Sequence, residues 1–410
     1  MGAVTPIGIG VENFWKALID GVRGVEPITR FDVTDLPVKF AGCVTDFNPA
    51  QFMPKKLTRE MDLFMQYGYA AAEEALTDAG LNPDNSEERK VPAERIGIVV
   101  GTAYAGIATI AETQDGISTG AHSKVSPRFV PKIIGNVAAA QIAIAKGFRG
   151  PSLTVTTACS SGADALSTGI MILKSGEADV VLCVGAEAAI SPLNILGLTA
   201  AHALSTRNEE PATASRPFDA TRDGFVMGEG ATILVLEEYE HAKARGAKIY
   251  AEVAGYGATT DGYHLTAPNP DGVCGSKAMT MAMKDAGIKP EEVVYYNAHG
   301  TSTHKNDSGE TMMLKNAFGE HAYKLHISST KSMTGHCLGN AGSLEAFVCI
   351  KSIEDSFIPP TINLDNPDVE GGCDLDYTPN KGLAIDVPVA MSGNFGFGGH
   401  NGILVFKRVK

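Results

Sequence analysis

The feature that most limits what this chain can fold into is an internal duplication. A helix, the turn Asp78-Ala-Gly-Leu-Asn-Pro83, a polar loop from Asn82 to Glu94, a buried strand and Gly101-Thr102 have a later counterpart. That counterpart is a helix, Asp285-Ala-Gly-Ile-Lys-Pro290, Glu291-Glu292, a strand from Val293 to Tyr296, and Gly300-Thr301. A second unit repeats in the same order. Leu153-Thr-Val-Thr-Thr-Ala-Cys159-Ser-Ser-Gly162 reads as a β-branched strand, a turn of small residues and a helix start. His326-Ile-Ser-Ser-Thr330, the turn from Lys331 to Gly342 and the apolar run through Phe347 and Ile350 read the same way. One such turn can recur by chance, whereas two matched units in one order argue for related halves. Strand-helix halves of this kind build mostly parallel sheets with helices on their faces, a layered α/β body.

Further buried strands are expected at 95–102, 179–185, 231–237 and 402–407, with helices over 11–21 and up to Asp78. The net charge of −13 argues against nucleic acid as a partner, because phosphate binding needs a basic face. Seven cysteines without a C-x-x-C pair fit neither a disulfide framework nor a zinc site, so no metal is expected. No run of 18 apolar residues and no charged-then-apolar leader is present, so no membrane span or secretory signal is expected. Met1-Gly2 could suggest myristoylation, but position 6 is Pro. Gly2-Ala-Val-Thr-Pro-Ile-Gly8 reads as the turn after a strand that does not precede it.

Cys159 should sit at a helix start, where backbone N–H groups favour thiolate and can hold a developing oxyanion. The alternative is a small buried apolar residue. His299 follows a strand directly, at the carboxyl end where α/β sheets place their sites, with Gly300, Thr301 and Thr303 beside it. The repeat puts Lys331 and His336 at the matching place, so Cys159, His299, His336 and Lys331 can share one cavity. The glycine-aromatic loop around Phe395 and Phe397 can bring backbone close to a ligand or seal an apolar channel.

These residues resemble the β-ketoacyl-[acyl carrier protein] synthases of the thiolase superfamily, in their elongating Cys-His-His class. The motifs are Ala158-Cys159-Ser-Ser-Gly162, Arg216-Pro-Phe-Asp219 with Arg222-Asp-Gly-Phe225 and Gly228-Glu-Gly230, His299-Gly-Thr-Ser-Thr303, Lys331-Ser-Met-Thr-Gly-His336, and Asn394-Phe-Gly-Phe-Gly-Gly399. The resemblance implies a thiolase-like duplicated fold, layered α-β-α-β-α, with two mostly parallel five-stranded sheets, the first strand being absent before Met1. Residues 1–247 would form the half carrying the nucleophile and 248–410 the half carrying both histidines. It implies decarboxylative Claisen condensation of an acyl-enzyme thioester with malonyl-[acyl carrier protein] in fatty acid elongation. Cys159 would accept the acyl chain, and His299 and His336 would stabilise the enolate. The backbone N–H groups of Cys159 and Phe395 would form the oxyanion hole, with Phe395 as gate. Lys331, Glu345 and Asp307, with Glu310, would form a charge network around the histidines.

Thr301 and Thr303 would hold the phosphopantetheine arm, while Asp261, His264, Thr266 and Phe397 would line the substrate tunnel. The exposed cluster Lys55, Lys56 and Arg59 would meet an acidic acyl carrier protein. A homodimer without a cofactor of its own, in the cytoplasm or an organelle matrix, is implied. Departures from the family pattern are His304-Lys305 where Pro is usual, Cys337-Leu-Gly-Asn340 after His336, and Thr102-Ala-Tyr104-Ala-Gly106 near the acyl pocket. A polyketide ketosynthase shares these motifs. A non-catalytic partner subunit would lack Cys159, and a thiolase would need a second catalytic cysteine in a setting that Cys373 does not have.

Overall fold

The computed structural model describes residues 1–81, 90–120 and 125–409. Most of the polar loop expected over 82–94, with Asn82 and Pro83 of the first repeated turn, lies outside the described residues. Ten strands make the two main sheets. The first holds β1 (Gly2–Thr5), β2 (Ile96–Gly101), β3 (Ser152–Val155), β4 (Val180–Glu187) and β5 (Gly230–Glu237), in the order β1-β5-β4-β2-β3, with the pair Gly8–Ile9 folded back on β1. The second holds β6 (Glu252–Thr260), β7 (Tyr295–Asn297), β8 (His326–Ser328), β9 (Val389–Gly396) and β10 (His400–Lys407), in the order β6-β10-β9-β7-β8. Adding five to each strand number of the first order gives the second. In each sheet only the strand in second place, β5 or β10, runs against its four neighbours in the set.

The period-2 alternation of the buried strands assigns their two faces to different layers. Along β4, Val180, Leu182 and Val184 pack with Tyr67, Ala71 and Ala75 of helix α1 (Leu63–Asp78) on the outside. Val181 and Cys183 point instead to a central layer made by α2 (Ser161–Lys174) and a second long helix (Ala341–Asp355). Along β10, Leu404 and Phe406 face the same central layer, while Ile403 and Val405 face the outer helices α3 (Val273–Asp285) and α4 (His304–Phe318). With the central helix Ala341–Asp355 numbered α5, the result is α-β-α-β-α. No described helix is long and apolar enough to cross a membrane.

Helices α2 and α5 cross at glycine. A Cβ on Gly342 would stand 2.3 Å from the Ala163 backbone nitrogen, and one on Gly162 would stand 2.6 Å from that of Ser343. Only residues without a side chain allow the two backbones to come this close.

The amino-terminal segment corrects one expectation. Gly2–Val4 pairs with Ala231–Ile233 of β5 and is wholly buried, so the segment read as a turn is itself a strand. A Cβ on Gly2 would lie 2.0 Å from the Ala71 carbonyl of α1, which explains the glycine.

Candidate active site

Cys159 lies in a single 3-10 turn, Ala158–Ser160, between β3 and α2, and is 9% exposed. Ala158 holds φ at +50°, a left-handed conformation that costs a residue with a side chain about 1–2 kcal/mol. Left-handed residues also occupy the turns beside both histidines, Ser302 (φ 71°) and Leu338 (φ 49°). Strained turns therefore aim all three reactive side chains.

One donor atom from each of Cys159, His299 and His336 lies within 4.8 Å of the other two. His336 Nε2 stands 3.0 Å from Cys159 Sγ, while its Nδ1 accepts the Leu338 backbone N–H at 3.3 Å. His299 Nδ1 lies 3.3 Å from Lys331 Nζ, an ammonium that can only donate. In both neutral rings Nδ1 thus accepts, and the proton sits on Nε2. The two rings meet edge to face with centroids 5.1 Å apart, so two Nε2–H donors converge beside the sulfur. The trio has a soft-metal donor set. The Lys331 cation and a protonated thiol oppose a dication there.

Burial pushes the Cys159 thiol up to about 12, against the lowering effects of the Lys331 charge and the Phe397 N–H. The resting site therefore holds a thiol, contrary to the thiolate expected from the helix start. Burial, reinforced by Lys331, also holds both imidazoles well below their ordinary range and so neutral. Lys331 is ion-paired with Glu345, whose other oxygen accepts from Asn394 Nδ2 at 2.5 Å. Burial raises Glu345 to about 7 despite that ammonium.

Glu310 reaches the site through backbone. Its carboxylate accepts the N–H groups of His299 and Gly300, each at 2.8 Å, and the Tyr296 hydroxyl at 3.0 Å. Asp307 touches neither imidazole and joins the network at one remove, through Asn306 Nδ2, which donates to Asp307 at 3.2 Å and to Glu310 at 3.5 Å. It accepts from the Phe218 and Ser302 N–H groups and pairs with Arg222 at 3.4 Å, because its place on the first turn of α4 faces the 216–222 loop.

The glycine-aromatic loop corrects a second expectation. The N–H that reaches the Cys159 sulfur belongs to Phe397, not Phe395. Phe395 still lies in β9, buried and edge-on to His299 at 5.9 Å, whereas Phe397 leads the turn between β9 and β10 and is 36% exposed. Backbone proximity to the cysteine begins at Gly396, where a Cβ would stand 2.7 Å from the Thr157 carbonyl and 3.2 Å from the Cys159 nitrogen.

Thr301 and Thr303 hydrogen-bond to one another through their hydroxyls at 2.9 Å. His264 and Thr266 are exposed in a loop that Gly398 and Asp261 tie to the glycine turn, through Gly398 N–H to Leu265 O (2.7 Å) and Asp261 N–H to Gly399 O (2.9 Å). Lys55, Lys56 and Arg59 are exposed on a short helix, Lys55–Glu60. Cys159 belongs to an apolar cluster that includes Ile190, Ile195, Leu198, Phe225 and Leu338, edged by Ala103 and Ile107. Sequence reasoning missed Phe225, which meets His336 edge to face at 5.2 Å, and Glu187, a buried acid behind the cysteine. The signal for Glu187 was available, since an acid closing so apolar a strand is rare unless it is hydrogen-bonded.

The family described as Beta-ketoacyl synthase, N-terminal domain matches residues 1–242, and the Beta-ketoacyl synthase, C-terminal domain matches residues 250–365. The chain is 47% identical over 408 residues to a 3-oxoacyl-[acyl-carrier-protein] synthase 2 of Synechocystis, covering 100% of this chain and 96% of that protein. It is 48% identical to a protein of the same name from Vibrio cholerae, covering 100% and 98%. Among solved structures it is similar to a β-ketoacyl synthase from Burkholderia phymatum, with a TM-score of 0.92, 35% identity and coverage of 100% and 98%. It is also similar to a type II polyketide ketosynthase solved in complex with its acyl-carrier protein, with a TM-score of 0.90, 34% identity and the same coverage.

Proposed function

The chain belongs to the β-ketoacyl synthase family, and from that premise we propose the roles of its residues in a decarboxylative condensation. It is a 3-oxoacyl-[acyl carrier protein] synthase of fatty acid chain elongation, an acyltransferase. The reading rests on one observation: two neutral imidazoles, each held with its proton on Nε2, face the sulfur of a cysteine that belongs to an apolar cluster.

In the first half-reaction Cys159 sulfur bonds to the acyl carbonyl carbon, the carrier's thioester bond breaks, and the thiol proton ends on the departing carrier thiol. The Cys159 and Phe397 N–H groups stabilise the oxyanion. The acyl tail lies among Ile190, Ile195, Leu198 and Leu204. Phe397, the exposed ring of the pair, serves as gate in place of Phe395. In the second half-reaction the malonyl thioester oxygen accepts from His299 and His336. The bond to the carboxylate breaks, CO2 leaves, and its electron pair becomes the enolate. That carbon attacks the acyl-enzyme carbonyl, and the tetrahedral centre collapses with release of Cys159 thiolate. Lys331, held by Glu345, keeps His299 in its donor tautomer, and Glu310 fixes the backbone that carries it. No cofactor or metal of the enzyme's own takes part.

Thr301 and Thr303 hold the arm of the carrier, and the positive helix Lys55–Glu60 meets the carrier's acidic surface. The protein works as a homodimer in this reading: among the described residues no strand pairs with the outer edge of β3, Leu153 there is 48% exposed, and a second copy would cover it. Greater identity to the fatty acid relatives than to the polyketide ketosynthase favours elongation, and an intact Cys159–His336 pair disfavours a non-catalytic subunit.

The test is stepwise. Cys159→Ala should lose acyl transfer from acyl carrier to enzyme, read by intact-protein mass. A C159A protein that still becomes acylated would remove the nucleophile from this scheme.

A further inference from the structure

Glu187 is a buried carboxylate to which the reaction above gives no task. It closes β4 at 0% exposure, and its partners are backbone and hydroxyl donors. One oxygen accepts the Ala103 N–H at 2.7 Å and the Gly339 N–H at 3.2 Å; the other accepts the Tyr104 N–H and the Thr102 hydroxyl, both at 3.3 Å. These donors come from both halves of the molecule. Thr102–Tyr104 is the turn after β2, and Gly339 lies in the turn that follows His336.

Both turns contain a left-handed residue with a side chain, Ala105 (φ 49°) and Leu338 (φ 49°). A strained turn persists only where its surroundings hold it. The packing has no slack: a Cβ on Gly339 would lie 2.5 Å from the Ala103 nitrogen and 2.7 Å from the Glu187 carboxylate. Leu338 gives its N–H to His336 Nδ1 and its side chain to the cluster around Cys159, with Ala103 and Ile107 at the border. The second half contains a matching device. Glu310 accepts two successive N–H groups, of His299 and Gly300, in the turn after β7, the strand that holds in its sheet the place of β2.

We propose that Glu187 is a positioning residue that clamps the Thr102–Tyr104 wall of the acyl pocket to the turn locking His336, and so sets both which acyl chains fit and how His336 presents Nε2. The inference rests on the reading of Cys159 as acyl acceptor. Tyr104 and Cys159 are the titratable groups that feel the Glu187 charge, and Lys331 and Glu345 are the other charges acting on the thiol. The Glu187 charge itself raises the thiol.

Glu187→Gln keeps the volume but sets an amide NH2 against one of the two donor pairs. In the folded variant, the ratio of long-chain to short-chain acyl carrier use (kcat/KM) should fall about tenfold, as expected when a wall is displaced by a fraction of an ångström. At pH 8 Glu187, which burial pushes up to about 7, is ionised, and removing its charge should make iodoacetamide alkylation of Cys159 faster. A merely structural role would not speed the thiol. A long-to-short ratio within twofold of wild type, or an unchanged alkylation rate, would overturn the proposal. Alkylation uses neither carrier nor malonyl group, so faster alkylation in an enzyme that never acylates at Cys159 would instead refute the condensation reading. Should E187Q fail to fold, Thr102→Val, which removes one donor to Glu187 and the acceptor of the Ala105 N–H (3.2 Å), should move the ratio in the same direction by a smaller factor.

Discussion

In the proposed reaction, two rings that accept at Nδ1 and donate at Nε2 carry the chemistry at the residue scale, and they do so without charge. His299→Ala and His336→Ala should each leave Cys159 able to take an acyl chain, while lowering CO2 release from malonyl carrier by about 10²–10³-fold, the usual loss of an oxyanion donor. Burial raises the folded-state value of the thiol to about 12. The thiolate fraction of free enzyme should therefore climb with pH, and alkylation of Cys159 should rise through pH 7 to 10 with no plateau; a plateau near pH 8 would contradict the buried-thiol account. The cysteine, both histidines and Lys331 were legible in the sequence because each follows a strand of a repeated unit: Cys159 and His299 lie in the turns after β3 and β7, while Lys331 opens the short helix Lys331–Thr334 after β8 and His336 lies just past its end. Phe397 was not legible, and the sequence marked Glu187 only as an acid closing an apolar strand, without its partners. Which N–H meets a sulfur, and which acid meets two turns from different halves, depends on backbone approaches that side-chain patterning does not encode. The choice between Phe395 and Phe397 turned on where β9 ends.

Elements explain how that convergence is enforced. The buried runs at 96–101, 180–187 and 230–237 were readable as strands because apolar residues filled both faces, and the helix ending at Asp78 was readable from its periodicity. β1 was not. Four residues opening with glycine and followed by Pro6 look like a turn, and only pairing with β5 makes them a strand. The crossing of α2 and α5 was likewise hidden, since the repeat makes Gly162 and Gly342 counterparts but does not say that they touch. Gly342→Ala should destabilise the protein by about 1–3 kcal/mol through overpacking, measurable as a drop in denaturation midpoint, and should also lower activity, because α2 carries Cys159 at its start. A stable, fully active G342A protein would mean that the crossing is looser than the structure shows. On the outside, reversing charge at Lys55, Lys56 and Arg59 should weaken carrier binding, with the difference shrinking as salt rises; unchanged affinity would remove this helix from the docking face.

At the scale of the whole molecule, the first sheet carries a sixth short strand, Gly8–Ile9, beyond the five that the resemblance implied, but the duplicated design was largely readable. The antiparallel ladders beside β5 and β10 were not, because a strand buried on both faces shows no direction in its residues. The open edge of β3 carries the prediction for assembly. Leu153→Asp should shift the protein toward the monomer in sedimentation velocity, while a monomeric wild type would refute the dimer. The glycine crossing has one more consequence. Where the two halves meet backbone to backbone beside the nucleophile, they cannot slide against one another without breaking that close contact. A long fatty chain and the arm that delivers it must then be admitted by small parts moving against a rigid frame. In the proposed reaction, the turn at Phe397–Gly399 and the loop it anchors are the parts left to do so.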